Sequence, residues 1–130
     1  MIVDSSAMVA MLRREPEARA MFVSLTDEGR ASISAASYLE TAIVVDCERD
    51  PVVSAKLDVL VARLAIEIAP VTATQAKVAR QAYRDFGKGS GHPAKLNFGD
   101  CFAYALAIER GEALLYKGDD FIHAGLARVV

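Results

Sequence analysis

The sequence predicts an α/β protein with a central, mainly parallel sheet covered on both faces by helices. Three observations lead there. Short segments of strand length, Met1–Val3, Ala31–Ser34, Ile66–Ala69 and Ala113–Tyr116, are apolar or alternate in polarity. They recur between longer segments whose apolar residues return every three or four positions. Parallel strands need such crossovers, so regular alternation of strand and helix points to parallel pairing. Finally, Leu96–Ala107 reads as a helix that is apolar on nearly every side, the pattern of a buried helix in a sheet-and-helix sandwich.

The 130 residues suit one domain, spanning 1–130, with a sizeable core. A net charge of −2 argues against a generally basic protein that coats nucleic acid, though not against a basic rim around an acidic pocket. Cys47 and Cys101 both fall in apolar helical patterns and read as buried, reduced thiols, which suits a cytoplasmic protein. No apolar run approaches the ~20 residues of a membrane span, and no basic segment leads an apolar one at the N-terminus.

Taken in order, Met1-Ile2-Val3 is a short buried strand ending in Asp4. Ser5 and Ser6 offer caps for a helix through Leu12, and a second helix follows Pro16 and stops at Gly29. After the strand at Ala31–Ser34 comes a helix over about 36–48. Ser37 and Glu40 match a capping box, so Glu40 either closes that box or stands in the apolar stripe of Ala36, Ile43, Val44 and Cys47. Pro51 opens a further helix. Ile66–Ala69 is a strand, and Thr72 caps a helix that runs to Phe86.

Gly87–Pro93 is a weakly basic loop, and it follows a helix where a P-loop would follow a strand. His92 in it has no second metal ligand at suitable spacing; a general base is the one chemical role open to it. Asn97 caps the Asp100 helix. The strand at Ala113–Tyr116 leads into the turn Lys117–Phe121, and Ala127–Val130 reads as a last short strand.

The acids converge by topology. In a parallel α/β sheet the functional crevice lies beyond the carboxyl ends of the strands. Asp4 ends the first strand, Asp119 and Asp120 follow the last long one, and Glu40 and Asp100 sit early in helices. Clustered carboxylates repel and raise one another's pKa, and a divalent cation relieves that. Oxygen donors without a Cys/His set suit Mg²⁺ or Mn²⁺, whose natural reaction in such a site is phosphodiester hydrolysis. Each acid also has a plainer reading: Asp4 as a helix cap, Asp100 as a partner of the helix dipole, Glu40 in its box, Asp119 and Asp120 as turn residues.

Met1-Ile2-Val3-Asp4-Ser5-Ser6, the Glu40 helix, Asn97-Phe98-Gly99-Asp100-Cys101-Phe102-Ala103-Tyr104-Ala105-Leu106-Ala107 and Leu114–Phe121 together resemble the PIN-domain ribonucleases, in particular the VapC-type toxins. The resemblance spans essentially the whole chain. It implies a three-layer α/β/α sandwich and an acidic pocket for Mg²⁺ or Mn²⁺. It matches Asp4, Glu40 and Asp100 to the core acids, with the fourth at Asp119, first after the strand, or alternatively Asp120. Ser6 matches a hydroxyl beside the first acid. The implied activity is metal-dependent endonucleolytic cleavage of RNA. Asp4 and Asp100 would be the principal ligands, and Glu40 and Asp119 would hold a second ion or orient water. Arg13, Arg14, Lys88 and Lys95 are candidate guides for the phosphate backbone. The implied partners are a VapB-type antitoxin, an RNA substrate and a second copy of the chain.

Two other functions compete. A housekeeping RNA-processing nuclease would share the fold and the acids. A non-catalytic phosphate-receiving module would need an acceptor Asp with a nearby Lys, such as Lys117; it leaves Glu40 and Asp100 without a task.

Overall fold

The computed structural model describes residues 1–130. Four parallel strands, β1 (Ile2–Val3), β2 (Ser32–Ser34), β3 (Glu67–Ala69) and β4 (Leu114–Leu115), lie in the order β3–β2–β1–β4. Seven helices connect and cover them: α1 (Ser5–Leu12), α2 (Ala18–Glu28), α3 (Ala35–Asp46), α4 (Pro51–Arg63), α5 (Ala73–Phe86), α6 (Phe98–Arg110) and α7 (Asp120–His123).

Alternation along the strands builds two cores. Ile2, Leu114 and Tyr116 meet Ala79 of α5 and Ala103 and Leu106 of α6 on one face of the sheet. Val3, Ile33 and Leu115 meet Met8 of α1, Met21 and Leu25 of α2 and Leu57 of α4 on the other. The α/β/α sandwich expected from the sequence follows from this division.

Most helices start on a side-chain cap. Asp50 caps α4 with Pro51 behind it, Thr72 caps α5 and Asn97 caps α6. Two expected caps are displaced. Asp4, not Ser5 or Ser6, caps α1. Ser34, not Ser37, caps α3, and its Oγ accepts from the Ala36 N–H at 3.3 Å. Ser37 is the third residue of α3, buried and with its Oγ unpartnered, so Glu40 closes no capping box. The box that does form is at α6, between Asn97 and Asp100.

Three further expectations are corrected. Ala127–Val130 forms no strand; after α7 the chain bends at Gly125 (φ 88°), and Arg128 donates to Gly118 O at 2.7 Å instead of pairing with the sheet. Cys47 is exposed at the C-terminal cap of α3, and Cys101 alone is buried. The α6 helix is not enclosed on every side, since Phe98 is 78% exposed at its first turn.

The two ends of the sheet differ in charge. At the end where the strands begin, the Met1 ammonium meets Glu112 at 2.7 Å. Arg110 there forks onto Glu67 and donates to Ser32 Oγ at 2.9 Å. At the other end stand the acids.

Candidate active site

Asp4 follows β1 directly and is anchored by its N–H to Leu115 O at 2.9 Å. Its side chain is 2% exposed. Oδ2 accepts from the Ser6 N–H at 2.9 Å and from the Ser6 hydroxyl at 2.5 Å. Oδ1 is buried with no hydrogen-bond partner. Burial raises the Asp4 pKa, the two Ser6 bonds oppose it, and the Glu40 charge raises it further. Asp4 is therefore both a helix cap and a carboxylate with a vacant oxygen.

Asp100 is the third residue of α6 and closes the capping box of that helix. Its Oδ2 accepts from the Asn97 N–H and Asn97 Oδ1 accepts from the Asp100 N–H, both at 2.9 Å. Burial pushes its pKa up to about 6 against that hydrogen bond, with the charges of Asp4, Asp120 and Glu40 adding to the rise. Three other acids thus bear on Asp100. Glu40, half-buried on α3, accepts from Ser5 Oγ at 3.2 Å.

The acids of the Lys117–Phe121 turn are divided. Asp119 is bound by the Arg128 guanidinium and turns out to solvent, 74% exposed. Asp120, the first residue of α7, is the one whose charge reaches Asp100. Ser6 ties this turn to β1, because its Oγ also accepts from the Lys117 N–H at 3.0 Å. The Lys117 ammonium is itself held by Glu15 and Glu17. It is not placed against an acceptor Asp as the phosphate-receiving reading requires.

None of the chain's seven ion pairs involves Asp4, Glu40, Asp100 or Asp120. Asp4 is the one of these four that is buried, at 2% exposure, and it has no cation to meet it. No three His, Cys, Asp or Glu side chains close into a ready metal cage. Ser5, Ser6, Glu40 and Lys117 line a hollow of about 400 Å³ on this side of the molecule.

Of the basic candidates, Arg13 is engaged by Glu48 at 3.1 Å, while Arg14, Lys88 and Lys95 form no ion pair. His92 is turned to local structure. Its Nδ1 accepts from the Ala94 N–H at 3.1 Å, and its ring packs edge-on against Phe86. Two neighbours of Glu40 carried no signal of their own in the sequence, Ser5 through its hydroxyl and Gly99 through its bare Cα. Both sit inside recognisable motifs, but their proximity to Glu40 arises from helix packing.

Residues 1–126 match the PIN domain family. The chain is 55% identical to Ribonuclease VapC28 of Mycobacterium tuberculosis over 130 residues, covering all of this chain and 98% of that protein. Its fold superposes on the crystal structure of Mycobacterium tuberculosis VapC20, described as a sarcin-ricin loop cleaving toxin, with a TM-score of 0.74 at 16% identity, covering 98% of this chain and 97% of that one. The FitAcB structure from Neisseria gonorrhoeae gives a TM-score of 0.70 at 20% identity, covering 98% and 94%.

A parallel sandwich with unpaired acids beyond its strand ends is the architecture of a PIN domain. The chain belongs to that family, and within it to the VapC ribonucleases. No helix is long and apolar enough to cross a membrane.

Proposed function

We propose that this chain is a divalent-cation-dependent endoribonuclease, the toxin of a toxin–antitoxin pair, working as one domain over 1–130 in the cytoplasm. The observation that carries the cation dependence is Asp4. A buried carboxylate with one oxygen unpartnered, under the charges of Glu40 and Asp100 and with no cation, is a costly arrangement unless a cation completes it. The donors are carboxylate and hydroxyl oxygens, which fits Mg²⁺ or Mn²⁺ and not Zn²⁺. The four acids do not form a ready cage, so ligation requires their side chains to move.

Asp4 and Asp100 are the principal ligands in this reading, and Glu40 orients the attacking water. Asp120 is favoured over Asp119 as the fourth acid, because Arg128 occupies Asp119 and the Asp120 charge bears on Asp100. Ser6 fixes Asp4 and the turn after β4 in register. Mg²⁺ or Mn²⁺, when bound, polarises a phosphodiester and lowers the pKa of a bound water. Arg14, Lys88 and Lys95 draw the RNA backbone toward a pocket that would otherwise repel it.

The partners in this reading are a VapB-type antitoxin, whose arginine would meet the unpaired carboxylates, and a second copy of the chain. The test is cleavage of a panel of structured RNAs with Mg²⁺, Mn²⁺ or EDTA. Wild type cuts in either metal, and Asp100→Asn does not. Equal cutting by both proteins would remove Asp100 from the chemistry. Growth arrest on expression, relieved by co-expressing the antitoxin, separates a toxin from a processing enzyme.

A further inference from the structure

We propose that Gly99 is a positioning residue for Glu40. Its missing side chain is the seat in which the Glu40 carboxylate rests. This rests on the reading of Glu40 as a site acid and assigns a task to a residue that touches neither metal nor RNA.

The geometry is direct. A Cβ built on Gly99 would stand 2.5 Å from Glu40 Oε2, 2.8 Å from Oε1 and 2.9 Å from Cδ. Non-bonded carbon and oxygen do not approach so closely, so any side chain at 99 must push the carboxylate away. Gly99 is not there for its backbone. It occupies the first turn of α6, one residue before Asp100, and its φ is not in the left-handed region that demands glycine. Glycine in a helix is also unfavourable relative to alanine. The position therefore carries a residue that weakens its helix, and the space it frees is filled by an acid from a different helix.

A second hold on the same oxygen is Ser5, whose Oγ donates to Glu40 Oε2 at 3.2 Å. Glu40 is thus held from α3 by the first residue of α1 and the first turn of α6. The residue after Asp4 and the residue before Asp100 are its two supports. This couples the third acid to the two principal ones through backbone neighbours, and fixes its carboxylate where the charges of all three act on one another.

The prediction is a separation of stability from function. The colliding atoms belong to the far end of a flexible side chain, so Gly99→Ala folds by rotating Glu40 aside. Its Tm in EDTA is equal to or above that of wild type. Mn²⁺ affinity, read by calorimetry, falls about tenfold or more, as is usual when the support of a ligand is lost. In a Glu40→Ala background, Gly99→Ala causes no further loss.

A metal-free readout keeps the inference separate from the nuclease reading. The carboxyl ¹³C resonance of Glu40 in the EDTA-treated protein shifts in Gly99→Ala and in Ser5→Ala. An unmoved resonance in Gly99→Ala overturns the seat. A moved resonance with unchanged Mn²⁺ affinity, or an equal affinity loss in the Glu40→Ala background, overturns the positioning role. If wild type binds no Mn²⁺ at all, the metal reading fails while the carboxyl resonance still decides the seat.

Discussion

Ser6 grips Asp4 twice, through its backbone N–H at 2.9 Å and its hydroxyl at 2.5 Å, both on the same carboxylate oxygen. The hydroxyl also receives the Lys117 N–H. One small side chain therefore joins the end of β1, the start of α1 and the turn after β4, while the second oxygen of Asp4 stays vacant.

Replacing Ser6 with Ala removes a hydrogen bond to a buried carboxylate and leaves the Lys117 N–H without its partner. The expected loss is about 1–3 kcal/mol in urea unfolding. Mn²⁺ affinity should fall as well, because Asp4 loses its orientation. Unchanged stability would mean that water replaces the hydroxyl at no cost.

Asp119 and Asp120 should separate cleanly. Asp120→Asn weakens Mn²⁺ binding and RNA cleavage, by a factor of ten or more if it supports a ligand. Asp119→Asn releases Arg128 and leaves Mn²⁺ binding within about twofold of wild type, as an exposed ion pair contributes little. The reverse pattern in a calorimetric titration would return the fourth place to Asp119.

Stability in EDTA should rise as pH falls from 7.5 to 5.5. Asp4 and Asp100 have raised folded pKa values, so their ionisation costs stability. For Asp100 that cost is absent below its ordinary 3.8 and complete above about 6. Glu67 has the opposite sign. The Arg110 hydrogen bonds hold it below its ordinary 4.5, so its contribution is present above that value and fades as pH falls through its folded pKa. The metal-free protein is thus expected to be most stable near pH 4.5, where the Glu67 contribution is present and the Asp100 cost is still small. Saturating Mn²⁺ should abolish the rise from 7.5 to 5.5, because a bound cation favours the ionised carboxylates. A Tm that is flat with pH in EDTA would contradict the burial of these acids.

The two thiols should differ sharply in reactivity. Cys47 is exposed, whereas Cys101 is buried, donates to Asn97 O at 3.3 Å and has a thiol pushed up to about 11, chiefly by burial. An aromatic disulfide reagent at pH 8 should titrate one thiol in the native protein and both in guanidinium. Two fast thiols in the native state would show that α6 opens readily.

The readable part of this protein is local in character. Strand-length runs and helical spacing locate β1 to β4 and the six long helices, because a period of two or of 3.6 depends on neighbours a few residues apart. Asn97 and Asp100 sit three apart and form their box by themselves. Asp4, Glu40 and Asp100 were legible as site candidates from their places after strands and at helix starts, and from a motif that spans the chain.

What escaped the sequence is whatever depends on which distant groups meet. Ser34 or Ser37 can each cap a helix on paper; α3 starts at Ala35, directly after β2, so Ser34 is the cap and Ser37 is buried inside the helix. Cys47 and Phe98 sit in apolar patterns, yet no other element covers them. Asp119 and Asp120 are adjacent and chemically identical, and they are told apart by the Arg128 guanidinium returning from the C-terminal segment to Asp119 and by the Asp120 charge acting on Asp100. The Gly99 seat needs α3 and α6 to pack at a separation of atomic contact. The sequence by itself determined the fold class and the order of the elements and named the candidate acids, since spacing along the chain encodes all three. Tertiary structure alone decided which oxygen stays unpartnered, which acid of the turn is free and what holds Glu40, since these depend on distances between residues far apart in the chain.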